Sequence, residues 1–342
     1  MMHNFAVVAT NVLNYGLYFG FFFAALILLR PVTGRLLRPK HQVTLWGIGW
    51  GICFFIYIAS YWGARIPIPV SFRTLILPRI QPLLGESRPM YLPIPGMDGE
   101  AGTLVLPLVG EFPISFNETL LAWAGIVWTG VLAVIVIVRI LQERRLRNIG
   151  RAGRKMTDEE MRQYGVEYPG VVVRLCRNLP TSFVRSGSDR HFGDAGHVIC
   201  LQEELPRERM RLVLRHELAH IELNHLYYRS YLLFALAAFW WNPILWLAFR
   251  LHIRDMELAC DEAVIEKLDG QGRREYAKAL VELASGQHLW GGVTSFGECD
   301  AAIRVKRVTA WRDRGKLYHR LSLVLTVLLV LFFYCGGPIY RG

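Results

Sequence analysis

Hydrophobic residues along this chain fall in blocks rather than at the alternating or three-to-four spacing of soluble elements. Residues 5–29, 43–62, 119–138 and 321–337 contain no Asp, Glu, Lys or Arg, and about 18 to 20 such residues cross the hydrocarbon core as a helix. The pattern predicts four transmembrane helices, of which the last is the shortest. The first is not expected to be a cleaved signal, because Met1-Met2-His3-Asn4 carries no basic residue and no small-residue cleavage pattern follows before Arg30-Pro31.

The intervening segments read differently. Residues 63–118 hold nine of the sixteen prolines, which excludes a long helix and favours a packed connector in extended and turn conformations. A basic helix should continue the third span to about Arg154, and Thr157-Asp158-Glu159-Glu160 marks a new helix start with acids in its first turn. Val171-Val172-Val173 and Val198-Ile199-Cys200-Leu201 read as short strands separated by a polar stretch, 186–196. Pro206 sits where a first helical residue would, with a helix expected to about Tyr228. Segment 285–300, with Gly291-Gly292 and Gly297, reads as a flexible linker before the final helix.

Overall composition agrees with the blocks: 53% of the 342 residues are hydrophobic and the formal net charge is +11. The charge is placed beside the spans. Arg30, Arg35, Arg38 and Lys40 lie between the first two, a cluster from Arg139 to Lys155 follows the third, and another from Arg304 to Arg320 precedes the fourth. Loop 63–118 holds four arginines against five acids. By the positive-inside rule, residues 30–42 and 139–320 are cytoplasmic, and both termini and loop 63–118 lie outside. The basic clusters are also suited to anionic lipid headgroups. Direct nucleic-acid binding is not expected, since no aromatic-interleaved basic motif accompanies them. The six cysteines form no Cys-x-x-Cys pair and read as buried thiols.

Candidate chemistry sits on the helix after Pro206. His216-Glu217-Leu218-Ala219-His220 puts two imidazoles one turn apart on one face, where both can reach a single metal ion, with Glu217 beside them to take a proton from water. Two histidines need a third protein ligand to leave one open position on tetrahedral zinc. Glu257 can supply it, and Asp261, one turn on, can hold the outer N–H of a ligand histidine. His225, His252, His288 and His319 are weaker candidates for a donor to an oxyanion. Glu222 reads as a solvated face.

A fifth uncharged run, Ser230 to Phe249, lies between the two halves of this site. A single crossing would leave His220 and Glu257 about 30 Å apart. The run must therefore dip and return or lie along the interface, with Asn242-Pro243 breaking the helix and Phe239, Trp240, Trp241 and Trp246 at headgroup level.

The ordered set of the motif helix, Trp240-Trp241-Asn242-Pro243, Glu257-x-x-Cys260-Asp261-Glu262 and Arg304-Val305-Lys306-Arg307-Val308 resembles the BlaR/MecR-type antirepressor metallopeptidases, integral-membrane gluzincins of bacteria. The resemblance covers most of the chain. It implies that His216, His220 and Glu257 hold one zinc ion per chain, with Glu217 as general base. It also implies a place in the bacterial cytoplasmic membrane and cleavage of a cytoplasmic protein, a transcriptional repressor, in signal transduction, with self-cleavage in some members. Family receptors continue past the last span into a penicillin-binding sensor domain. The sequence stops at Gly342 without one, so a β-lactam signal is not expected. Oligomeric state stays open, a homodimer being one option.

The expected architecture is a membrane α-helical protein of four transmembrane helices plus one re-entrant or interfacial segment, with a cytoplasmic α+β zincin-like metallopeptidase domain. Its parts are residues 1–62 (two spans and a basic loop), 63–118 (outer loop), 119–141 (third span), 142–320 (peptidase domain) and 321–342 (fourth span and tail). The set also resembles the Ste24/HtpX-type processing peptidases. A scaffold with a structural metal site ranks last, because such sites close with four protein ligands.

Overall fold

A computed structural model describes residues 2–61, 102–106, 110–114, 118–165, 168–179, 181–189, 194–286 and 295–334. Two long helices open the chain, α1 (Met2–Leu36) and α2 (Pro39–Tyr61), joined by a tight corner at Leu37 and Arg38. Strands β1 (Gly102–Leu106) and β2 (Gly110–Ile114) pair antiparallel within the Pro-rich segment. Helix α3 (Glu118–Ala152) contains the apolar stretch Thr119–Ala152, the helix among the described residues that is long and apolar enough to cross a membrane; 17% of its most apolar window is buried. It packs closely on α1. A Cβ at Gly125 would come within 2.2 Å of the Phe5 carbonyl oxygen, so the contact requires glycine.

The region after α3 opens with β3 (Arg154–Lys155) and a short helix α4 (Asp158–Gln163). Helix α4 starts as its sequence predicts: Thr157 Oγ1 accepts from the Glu160 N–H and the Glu160 carboxylate accepts from the Thr157 N–H. Strands β4 (Val171–Cys176), β5 (Phe183–Asp189) and β6 (Asp194–Gln202) complete a sheet ordered β3-β4-β6-β5, with β4 and β6 parallel and β5 antiparallel at the edge. Alternate residues of β4 and β6 face opposite sides. Val171, Val173, Leu175, Ile199 and Leu201 pack on the motif helix α5 (Arg207–Glu222), whereas Val172, Cys176, Val198 and Cys200 meet Ile149 in the tail of α3. Both faces are covered, which is why these strands read as unbroken apolar runs.

Three expectations change in this region. The polar stretch 186–196 is not simply a connector: Ser186 to Asp189 and Asp194 to Gly196 are strand, and the ladder of β5 on β6 is made by backbone groups that polarity does not report. Pro206 is the residue before the helix rather than its first. The helix ends at Glu222 instead of running on to Tyr228, because Asn224 adopts a left-handed conformation (φ 57°) before α6 (His225–Ala238) begins.

The uncharged run 230–249 is a helical hairpin. Helix α6 ends at Ala238, and α7 (Pro243–Ile265) starts at Asn242-Pro243, where Asn242 Oδ1 accepts from the Ile244 and Leu245 N–H groups. The corner docks on α1, with Asn242 Nδ2 donating to the Gly16 carbonyl at 2.7 Å. Phe19, Phe23, Trp46 and Trp50 from α1 and α2 share one core with Leu232, Leu236, Phe239 and Leu245 of the hairpin. Helices α8 (Gly270–Gly286), α9 (Ser295–Thr309) and α10 (Gly315–Tyr334) follow. Ser295 to Asp300, expected as linker, is helical, while 287–294 lies outside the described residues. Helix α10 begins six residues before the apolar run that it carries and packs Leu325 and Leu329 against Leu37 and Leu45.

Candidate metal centre

Helix α5 is amphipathic: Met210, Val213, Leu214, Leu218 and Ile221 fill the core under the sheet. His216 and Glu217 are buried with them, at 9% and 8% exposure. Polar groups at such depth need partners, and α7 supplies them. His216 Nε2 lies 3.2 Å from Glu257 Oε2, and His220 Nε2 lies 3.4 Å from Glu257 Oε1. The two imidazoles stand edge to face, with ring centroids 5.0 Å apart. Both Nε2 atoms of α5, before the uncharged hairpin, thus converge on one carboxylate of α7, after it.

The outer nitrogens are engaged elsewhere. His216 Nδ1 is 2.9 Å from the Tyr276 hydroxyl and 3.3 Å from Asp261 Oδ1, and the Tyr276 hydroxyl donates to Asp261 Oδ1 at 2.7 Å. Asp261 therefore lies beside the His216 ring, with Tyr276 of α8 next to both. His220 Nδ1 is 3.0 Å from His225 Nδ1. Arg304 of α9 closes the centre: its Nε and Nη2 donate to the two Asp261 oxygens at 2.7 and 2.8 Å, and its Nη1 lies 3.0 Å from Glu257 Oε2.

Charge follows from this packing. Burial alone would raise the Glu257 and Asp261 carboxyls, but Arg304 and the histidines overcome it; Glu257 falls well below the usual range and Asp261 to about 2. Burial lowers His216, yet its bonds to Asp261 and Glu257 outweigh that and raise it to about 9. His220 is pushed down to about 4, chiefly by burial. Burial lifts Glu217 to about 7, with Glu257 adding to the effect. Two Nε2 atoms, an ionised carboxylate and fixed outer nitrogens suit a divalent cation whose arrival releases a proton.

Cys260 is a competing donor. With His216 and His220 it places ligand-type atoms within 4.8 Å of one another. Its thiol, however, is 3.4 Å from His225 Nδ1, and burial raises it well above the ordinary thiol range, which disfavours the thiolate that binds metal. Glu257 is the better third ligand by charge and by its contact with both histidines.

Among the described accessory histidines, His225 borders the cavity beside His220 and Glu257. His225 stands behind His220; His252 is fully buried and stacks on Trp46, its ring nitrogens without a partner among the described residues; His319 Nδ1 meets Arg38 Nη1 at 3.3 Å. His288 lies outside the described residues. Glu222 is exposed and 3.8 Å from Lys267 Nζ, a solvated pair. Arg304 and Tyr276 are the site residues that sequence reasoning missed. In the sequence Arg304 stands in a basic run and in the Arg304–Val308 stretch of the resemblance, neither of which gives it a place at the metal centre.

A cavity of about 50 Å³ opens beside His220 and Glu257, walled by Val184 of β5, Leu226 of α6 and Ile253 and Met256 of α7. Comparison with known proteins covers this part of the chain. Residues 196–307 match the family described as BlaR1 peptidase M56. Over 136 residues the chain is 28% identical to the regulatory protein BlaR1 of Bacillus licheniformis, a match covering 38% of this chain and 23% of that protein. The chain thus spans under a quarter of the length of the curated relative it matches.

Proposed function

Taking the chain as a BlaR1/MecR-type family member through its M56 peptidase domain, we propose that it is a multi-pass membrane zinc endopeptidase that cuts a cytoplasmic protein, a transcriptional repressor, in a signalling response. The observation that carries this reading is the meeting of His216 and His220 Nε2 with the Glu257 carboxylate, across 41 residues of chain between His216 and Glu257.

In this reading His216, His220 and Glu257 hold zinc, which when bound supplies a Lewis acid that polarises water and the scissile carbonyl. Glu217, one residue from His216 and poised near neutrality by burial, takes the proton from the attacking water and delivers it to the departing amine nitrogen. Asp261 and Tyr276 fix the His216 ring, and His225 fixes His220. An extended substrate segment fits along β5, the edge strand, whose Val184 reaches the cavity beside His220. Self-cleavage would use the same groove.

The multi-pass topology is part of the proposal, with α1, α2, α3 and α10 as the spans and 230–249 as a re-entrant hairpin. In cells producing Glu217→Gln, the substrate should accumulate uncut while the variant keeps its metal. If no cytoplasmic protein changes length between parent and Glu217→Gln cells, a cytoplasmic substrate is excluded.

A further inference from the structure

Helix α7 has two charged faces. At about 100° per residue, Asp255, Glu262 and Glu266 fall within about 20° of one line along the helix, and Glu257 and Asp261 point roughly the other way. The second face belongs to the metal centre. The first is gripped by the α1–α2 hairpin.

Arg38, in the corner between α1 and α2, is 5% exposed. Its Nε lies 3.3 Å from Glu262 Oε2 and its Nη2 pairs with Glu266. Its N–H donates to Ser322 Oγ of α10 at 2.9 Å. Two turns earlier, Arg30 holds both oxygens of Asp255, at 2.5 and 3.2 Å, and the Trp46 indole N–H of α2 donates to Asp255 Oδ2 at 2.9 Å. Asp255 is 3% exposed. Arg38 and Asp255 are the buried members of these part-buried pairs, so loss of a partner leaves a buried charge uncompensated. The same corner also receives the last site element: Arg307 of α9 donates to the Gly34 carbonyl at 3.0 Å, and Arg314 to that of Arg35 at 3.3 Å. Helix α9 is the carrier of Arg304, which holds Glu257 and Asp261.

We propose that Arg38, with Arg30, is a positioning residue for the metal centre, so that the α1–α2 hairpin sets the rotation and height of α7 and hence the reach of Glu257 to His216 and His220. The inference rests on the zinc-peptidase reading above. A helix is stiff enough to carry a displacement from one face to the other, and a slip of about 1.5 Å, one residue of rise, would take Glu257 off the two Nε2 atoms. A shift of the hairpin in the bilayer is thereby felt at the site through a chain of ion pairs, with no contact between the hairpin and substrate.

The test uses the full-length protein in detergent, with Glu217→Gln as background to prevent self-cleavage, and follows zinc loss to a chromophoric chelator well below the unfolding temperature. Arg38→Met and Glu262→Gln should each lose zinc about tenfold faster than the parent, the usual size of a lost outer contact to a ligand. Arg38→Lys, which keeps the charge but cannot bridge Glu262, Glu266 and His319 together, should fall between. Val172→Ala, a cavity on the far face of the sheet, should lower stability yet keep the parental zinc-loss rate. Parental rates in both Arg38→Lys and Glu262→Gln would overturn the proposal even if Arg38→Met does not fold. Equally fast loss from Val172→Ala would also overturn it, since general destabilisation would then explain the effect. A parent that binds no zinc is a separate result and removes the peptidase reading itself.

Discussion

Glu257 and Cys260 both reach the histidine pair, and a single substitution in each separates them. Glu257→Ala should cost most of the zinc affinity, at least about tenfold, because two imidazoles alone leave the coordination shell short of a ligand. Cys260→Ser should leave zinc retention within about twofold of the parent if the thiol only faces His225. Equilibrium competition with a chelator measures both. Glu217 has a signature independent of catalysis. In the folded, metal-free chain it holds its proton up to about pH 7, against an ordinary value of 4.5. Between those values the unfolded state binds fewer protons than the folded one, so this group lowers stability as pH rises. Glu217→Gln removes the effect, and its thermal midpoint should gain on that of the parent from pH 5 to pH 7. A constant difference across that range would show that Glu217 is ionised throughout. The candidate set of His216, Glu217, His220, Glu257 and Asp261 could be proposed from the sequence because helical spacing and ligand chemistry restrict such sets tightly. Arg304 and Tyr276 were not, and His225 only as a weaker candidate of another role, since their places come from tertiary contacts of α8, α9 and the start of α6.

Helices α3 and α4 and strands β4 and β6 lay close to where periodicity and capping signals put them, because each is encoded locally. Strand β5 was hidden: its Ser186-Gly187-Ser188-Asp189 looks like a turn, and only pairing with β6 makes it a strand. The break at Asn224 was hidden for the opposite reason, as a left-handed residue inside an apolar-periodic run gives no warning. Close helix packing is another tertiary feature that single residues reveal afterwards. With the Phe5 carbonyl 2.2 Å from where its Cβ would stand, Gly125→Leu must push α1 from α3. Overpacking of this kind costs about 1–3 kcal/mol, and the thermal midpoint of the purified protein should fall accordingly, with zinc still bound. An unchanged midpoint would mean that α1 and α3 do not pack through Gly125.

The hairpin at 230–249 joins these levels. Its turn at Asn242-Pro243 brings Glu257 back to His220, so the ligand set is assembled on one side of whatever surface the hairpin enters. In the topology proposed above, that side is the cytoplasm. A cysteine placed at Asp269, on a background without the native cysteines, should therefore label only after cells are permeabilised, as should one at Arg35. Labelling of position 269 from outside intact cells would mean that the run crosses the membrane once, and the shared site could not then exist. The most direct test of the account is X-ray absorption at the zinc edge on purified full-length protein with one equivalent of bound metal. It predicts a shell of nitrogen and oxygen at about 2.0–2.1 Å, with imidazole scattering from His216 and His220 and oxygen from Glu257 and solvent. A sulfur at about 2.3 Å would put Cys260 in the place of Glu257, and a protein that takes up no zinc would contradict the account at its centre.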